Sequence, residues 1–374
     1  MNGWRVARIG GIDVRVDPSF LIIALLITSQ LWSAFANRSL YPKLNSSQVV
    51  ALAALSAFLF FLSILGHELA HAGMSRLLGI PVLGISLYML GGATYMSNEG
   101  RRPRDEFLTT VVGPLSSAAI GVLFLGAHSM LGLSDALGRI LGYLGWLNLY
   151  LAAFNLLPSF PLDGGRLVRS VVWQITDDPS LATVAAARTG QIVSGGMIAV
   201  TIYSVVVSQN IDTIWVGSIG LSPIFLGLIG AMLFSGATQA LQDVRRNRAL
   251  DSATAAEVMS PPPPAIAADL PLGEALTRYL DGHEGEAFPV TRDGTVIGFV
   301  SLTTARGVPA DRPVSEATVP PGAVAVAGST ETMTSIVGRL GHHDVAAVLV
   351  MDGDRLVGII EPSDVNRFLE RTGR

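Results

Sequence analysis

His67, Glu68 and His71 stand as His-Glu-Leu-Ala-His inside an apolar run that extends from Phe58 to Leu78. Four residues apart on a helix, the two imidazoles share one face and can grip one metal ion. Glu68 then lies beside that ion, where its carboxylate could take a proton from water. Histidine and glutamate are costly at membrane depth, so three ionisable groups in such a run point to function. The competing reading is a buried polar trio with only a packing role. The chain has no cysteine, so any metal must be held by His, Asp, Glu or backbone.

A zinc site with two histidines needs a third protein ligand and an open position. Asp163 is the best candidate. It follows Pro158 and Pro161, which break a helix, and precedes Gly164 and Gly165, which let the backbone turn tightly. Polar, proline-broken backbone at membrane depth is tolerated only where it is buried in protein or lines a watery cavity. The alternative is that Asp163 only caps the helix that begins near Arg166. No third histidine follows the motif between Ala72 and Leu78. His128, alone in its apolar segment, reads as a packing residue.

The elements that must carry these groups are mostly membrane spans. Half of the residues are hydrophobic and 14% are charged; the mean hydropathy is +0.50. A net charge of −4 implies no nucleic-acid partner. The N-terminus reads as having no signal peptide, because Met1 to Pro18 alternates apolar and polar residues. Gly10 to Val16 alternates like a short strand. Six segments near bilayer-crossing length follow, at about Ser19–Phe35, Val49–Ser75, Phe107–Leu131, Leu137–Leu157, Gly190–Ser208 and Ile214–Leu241. Arginines cluster on the side that would hold both termini (among them Arg5, Arg8, Arg76, Arg102, Arg166 and Arg245), against Arg38, Lys43 and Arg139 opposite. The positive-inside rule makes both termini cytoplasmic. With that topology the second span puts His67 and His71 in its inner third, and the fourth delivers Asn155 to Arg166 to the same side.

His67-Glu-Leu-Ala-His71 together with Asn155-x-x-Pro-x-x-Pro-Leu-Asp163-Gly-Gly closely resembles the site-2 proteases, a family of intramembrane zinc metalloproteases. The resemblance implies that His67, His71 and Asp163 bind one Zn2+ and that Glu68 activates water. It also puts Asn155 near the active site, where its amide could support substrate or a developing oxyanion; the plainer reading is a helix-ending cap. Gly84 to Tyr95 has strand-forming character, and the family places such a segment, with its Gly91-Gly92 pair, in a membrane-associated sheet. An extended substrate could pair with its edge; otherwise it is an ordinary surface hairpin. Gly113-Pro114 resembles a family motif for close packing and a kink. The resemblance covers about Val6 to Leu241.

The composition shifts after Arg245-Arg246-x-Arg248, and Pro261–Pro264 reads as a stiff linker. Beyond it, Ala287 to Ser301 aligns without gaps to Ala347 to Glu361, an internal repeat whose halves need each other to complete a core. This half is similar to a tandem pair of cystathionine-beta-synthase-type (CBS) domains. Such pairs often bind adenine nucleotides through a Ser/Thr and an Asp three residues later. Here the first copy has Ser301 and Thr304 without an Asp, and the second has Glu361 and Asp364 without a Ser/Thr. A nucleotide is therefore doubtful, and a dimerisation or docking module is the alternative. His283, His342 and His343 read as surface residues.

The expected molecule is a polytopic α-helical membrane protein with a small membrane-associated β-sheet and a cytoplasmic α/β tandem CBS module. Its expected boundaries are a membrane domain at 1–248, a linker at 249–264, and repeats at 265–309 and 310–374. The expected function is zinc-dependent cleavage of a transmembrane protein substrate near the cytoplasmic face of the cell membrane, with the CBS pair regulating or forming a homodimer. The alternatives are a CBS-regulated transporter and an inactive membrane scaffold.

Overall fold

A computed structural model describes residues 3–36, 44–88, 91–96, 102–131, 136–207, 214–216, 219–221, 223–283, 286–320, 325–340, 347–353 and 355–372. His342 and His343, with Arg38 and Lys43, lie outside the described residues. The chain divides into two compact units, Met1–Leu241 and Gln242–Arg374.

The first unit opens with a hairpin of β1 (Trp4–Ile9) and β2 (Ile12–Val16), turning on Gly10 and Gly11, both at positive φ. Helices α1 (Phe20–Ala36) and α2 (Ser46–Leu77) follow, then β3 (Val82–Tyr88) and β4 (Gly91–Met96). The four strands form one sheet in the order β1-β2-β3-β4. β2 and β3 are parallel, and the crossover that parallel neighbours require is the α1–α2 pair. Gly10 to Val16 thus carries a strand as expected, now with a partner strand before it and another after the helices.

α2 is fixed at its start by a capping box: the Asn45 side chain accepts from Gln48 N, and the Asn45 N–H donates to Gln48 Oε1. It stops at Leu78, where Gly79 takes a left-handed conformation ahead of Pro81. One stripe of α2 is buried along its whole length: Val49, Ala53, Phe60 and Ile64, then His67, Glu68, His71 and Ser75. Apart from Ser56 and Ser63 the stripe is apolar for two thirds of the helix, and it packs against Leu31, Phe35, Ile85, Ile140 and Leu144. Over the last third it turns polar, and there the site is built.

α3 (Pro103–Leu131) continues through Pro114, and α4 (Ala136–Asn155) lies against it. α5 (Asp163–Thr176) and α6 (Pro179–Ile202, prolonged by a π turn to Val207) form the next pair. Asp178 caps α6 through Ser180 N and Leu181 N. A small hairpin, β5 (Ile214–Val216) and β6 (Ile219–Leu221), precedes α7 (Pro223–Ser252).

Among the described residues, four helices are long and apolar enough to cross a membrane: Ser46–Leu77, Pro103–Met130, Pro179–Val207 and Pro223–Ser252. Two expected spans coincide with the shorter α1 and α4. The last two overlap α6 and α7 but differ at their starts. α6 begins at Pro179, ahead of the expected Gly190, and the hairpin occupies the expected start of the sixth span. Ile214, Trp215 and Val216 favour strand, and Pro223 favours the first helical turn over a helix interior.

In the second unit, α8 (Ala255–Val258) is followed by β7 (Ile266–Ala267), α9 (Leu272–Ala275), β8 (Phe288–Arg292), β9 (Thr295–Val300) and α10 (Leu302–Ala305). β10 (Val326–Gly328), α11 (Met333–Leu340), β11 (Val348–Asp352), β12 (Arg355–Ile360) and α12 (Pro362–Thr372) repeat the pattern. Each repeat has a three-stranded sheet, first pair parallel and second antiparallel, with matching irregularities at Val290/Thr291 and Val350/Met351.

The expected boundaries need correction here. Leu250, Ala253, Ala255 and Val258, expected in a linker, fill the core of the second repeat beside Met333, Ile336, Val348 and Ile360. Val314 and Ala317, expected in the second repeat, fill the core of the first. The two repeats exchange their leading segments, because a three-stranded sheet and one or two helices cannot close a core alone. Phe299, Ala347, Leu349 and Ile359 form a separate cluster joining the two repeats.

Candidate metal centre

His67 and His71 project from the same side of α2, their rings edge to face with centroids 4.8 Å apart. Asp163 comes to them from the start of α5. Leu157 to Leu162, with prolines at 158 and 161, end α4 and turn the chain back. Gly164 and Gly165 let the first turn of α5 tuck under that loop. A Cβ at Gly164 would lie 2.2 Å from the Leu157 carbonyl oxygen, and one at Gly165 2.7 Å from Phe160 N. No side chain caps α5, and Asp163 is its first residue, so the capping reading fails. The Asp163 carboxylate instead points into the histidines: Oδ2 is 3.1 Å from His67 Nε2 and 3.3 Å from His71 Nε2. The two Nε2 atoms are 3.2 Å apart.

The far side of each imidazole is engaged. His71 Nδ1 lies 2.6 Å from the Thr109 carbonyl, which can only accept, so the proton is on Nδ1 and Nε2 carries a lone pair. His67 Nδ1 lies 2.9 Å from Ser117 Oγ. The Ser117 hydroxyl can accept from His67 Nδ1, which leaves that Nε2 free to present a lone pair as well, and two ring nitrogens and a carboxylate oxygen converge at 3.1–3.3 Å. Presented as lone pairs, the three would repel unless a cation sat between them. Tetrahedral ligands at zinc distances of about 2.0–2.1 Å are separated by about 3.3 Å, so the donor set fits zinc in chemistry and in spacing. Among the described residues, His67, His71 and Asp163 are the group brought close enough to share an ion.

Glu68 is buried beside this cluster, and its Oε2 accepts a 2.8 Å hydrogen bond from Thr94 Oγ1 on β4. β4 lies so close that a Cβ at Gly92 would stand 2.4 Å from Glu68 Cγ. The glycine pair is therefore a clearance for the glutamate. α3 gives a second clearance: a Cβ at Gly113 would stand 2.2 Å from His71 Nε2 and 2.7 Å from His67 Nε2.

Asn155 ends α4 and donates its amide to the Leu151 carbonyl at 2.9 Å, within its own helix. This is the plainer of its two readings, and that bond uses one of the amide's two N–H groups. His128 packs against Gly142. His283 faces the Phe288 ring, its Nδ1 3.2 Å from the Asp281 carbonyl.

Sequence reasoning named Gly113, through the Gly113-Pro114 resemblance, as a position of close packing and a kink, and missed Thr109 and Ser117. Thr109, Gly113 and Ser117 lie at i, i+4 and i+8 of α3, one stripe of small and polar residues facing both histidines, and that spacing was the available signal. Also missed was Glu106, which is 1% exposed; its Oε1 is 2.7 Å from Arg169 Nη1 and 3.8 Å from Arg166 Nε.

In the second unit the two half-signatures are engaged in helix starts. Ser301 and Thr304 form a capping box for α10. Asp364 Oδ1 accepts from Ser260 Oγ and Arg367 Nη1, and Oδ2 from Glu361 N. Burial, then the charges of Glu286 and Asp364, push the Glu361 carboxyl above the usual range.

The chain matches the family model described as Peptidase family M50 over residues 132–200 and that described as CBS domain over 255–311. It is 30% identical over 377 residues to a Mycobacterium tuberculosis protein named as zinc metalloprotease Rip3, covering 98% of this chain and 92% of that one. It is 28% identical to a Synechocystis protein named as zinc metalloprotease sll0528, covering 99% and 96%. The solved structure of a site-2 protease from Methanocaldococcus jannaschii aligns with 64% of this chain and 95% of that chain, at 24% identity and a TM-score of 0.44.

Proposed function

The chain belongs to peptidase family M50, the site-2 proteases, and is a zinc metalloprotease; on that premise we propose that His67, His71 and Asp163 hold the zinc ion and that Glu68 is its general base. The convergence of three lone-pair donors at 3.1–3.3 Å carries this reading. Zinc held there supplies Lewis acidity, which polarises a carbonyl and makes water lose a proton near neutral pH. The chain's own residues do the rest. The Thr109 carbonyl and Ser117 hydroxyl hold the imidazoles with Nε2 inward. Glu68, oriented by Thr94, takes a proton from the attacking water and returns it to the leaving amine. The walls of α3 and β4 leave His67 and His71 buried.

The substrate in this reading is a transmembrane segment of another protein, locally unwound and cut near the cytoplasmic face. The position of the site in the last third of α2 supports that depth. The proposed topology is six spans with both termini cytoplasmic and the four-stranded sheet at the membrane, supported by the arginine bias. The second unit is proposed as a regulatory or homodimerising module. Its occupied half-signatures and the two carboxylates, Glu286 and Asp364, beside Glu361 disfavour a phosphate-bearing ligand.

The test is zinc content and cleavage measured together on purified wild type and Glu68→Gln, against single-span membrane substrates. Both should carry one zinc per chain, and the variant should lose cleavage by about 10²–10⁴-fold. Cleavage retained in Glu68→Gln refutes the base assignment. Zinc in neither protein refutes the ligand set and turns attention to the transporter and scaffold readings.

A further inference from the structure

We propose that Glu106, with Arg169 and Arg166, is a positioning clamp that sets the separation between Asp163 and the two histidines. The proposal rests on the reading of those three residues as the zinc ligands. Glu106 sits in the first turn of α3 and is almost wholly buried. Its Oε1 takes a 2.7 Å bond from Arg169, with Arg166 Nε 3.8 Å away. Arg169 is itself braced by Trp173, whose ring centre lies 5.7 Å from the guanidinium carbon.

The placement of these charges gives them their role. Thr109, whose carbonyl orients His71, is three residues beyond Glu106 on α3. Asp163 is three residues before Arg166 and six before Arg169 on α5. The ion pair therefore joins the helix that aims a histidine to the helix that carries the carboxylate. α5 has no side-chain cap at its start, so the loop glycines let it approach but do not fix its axial position. A buried ion pair adds little net stability over well-packed apolar groups. It adds direction: a short charge-assisted bond tolerates less sliding than two methyl groups in contact. A slide of about 1 Å at α5 would spoil donor separations that must match tetrahedral coordination within a few tenths of an ångström.

The experiment measures zinc affinity by chelator competition and the visible absorption of the Co2+-substituted full chain in detergent, for wild type, E106Q, R169Q and E106Q/R169Q. Circular dichroism and size-exclusion chromatography report the fold. The singles should stay folded, bind zinc about 10–100-fold more weakly, and shift the cobalt bands. The double should lose no more than the worse single, since both changes remove one interaction. If the singles do not fold, the double decides, because it removes both partners of the short ion pair and leaves only the more distant, partly exposed Arg166. In folded variants, zinc affinity within twofold of wild type with unshifted cobalt bands overturns the clamp and leaves the ligand assignment standing. A wild type that takes up no zinc overturns both.

Discussion

Gly113 shows how a residue without a side chain can matter most to a site made of side chains. Any Cβ there would stand 2.2 Å from His71 Nε2, inside the space the donors must share. The helix cannot yield, because α3 is packed against α2 and α4. Gly113→Ala should therefore weaken zinc binding by about 10–100-fold, the equivalent of the 1–3 kcal/mol that overpacking costs. Unchanged affinity by chelator competition would mean that the rings have freedom to move aside. At this scale the sequence was legible where chemistry is written in residue type. His67, Glu68, His71 and Asp163 stand out because such groups are rare in apolar runs. Thr109 contributes a backbone carbonyl and Gly113 contributes empty space, and neither contribution is encoded in a recognisable side chain. Asn155 gives one amide N–H to the carbonyl one turn back, as its capping reading has it, and that bond leaves the second N–H for the reading toward substrate.

At the scale of elements, β4 acts on Glu68. Thr94 donates to the glutamate carboxylate and Gly92 lets the strand approach. Thr94→Ala should lower kcat by about tenfold, the worth of one hydrogen bond to a charged group, with zinc content unchanged, and Thr94→Ser should recover most of it. A fall in bound zinc, or a failure of Ser to rescue, would show that the strand supports the fold and not the base. Strand character at Gly84 to Tyr95 and Gly10 to Val16 was legible from alternation and β-branching. The parallel pairing of β2 with β3 was not, since no local pattern reports which strands meet across an intervening helix pair. The hairpin at β5 and β6 was lost for the opposite reason: its residues are apolar enough to extend a neighbouring span, and hydropathy does not separate strand from helix.

At the scale of the whole molecule, the second unit begins before its proline run. Leu250 and Val258 alone bury side chains that contribute about 3–6 kcal/mol, against about 5–15 kcal/mol for an entire domain. A fragment Gln242–Arg374 should unfold in one cooperative thermal transition, and a fragment starting at Pro261 should show none by circular dichroism. Equal transitions in both would make the leading segment dispensable. The repeat itself was legible, because the two hairpins match residue for residue. The exchange was not, because the prolines draw attention to a boundary that the apolar residues ahead of them ignore. The exchange also has a meaning in time. A chain leaves the ribosome from its N-terminus at about 5–20 residues per second, and about a hundred residues separate Val258 from its partner Val365. For roughly 5–20 s the earliest part of the unit has been made while the helix that completes its core has not. A message that ends early leaves that core without the Val365 side of its packing.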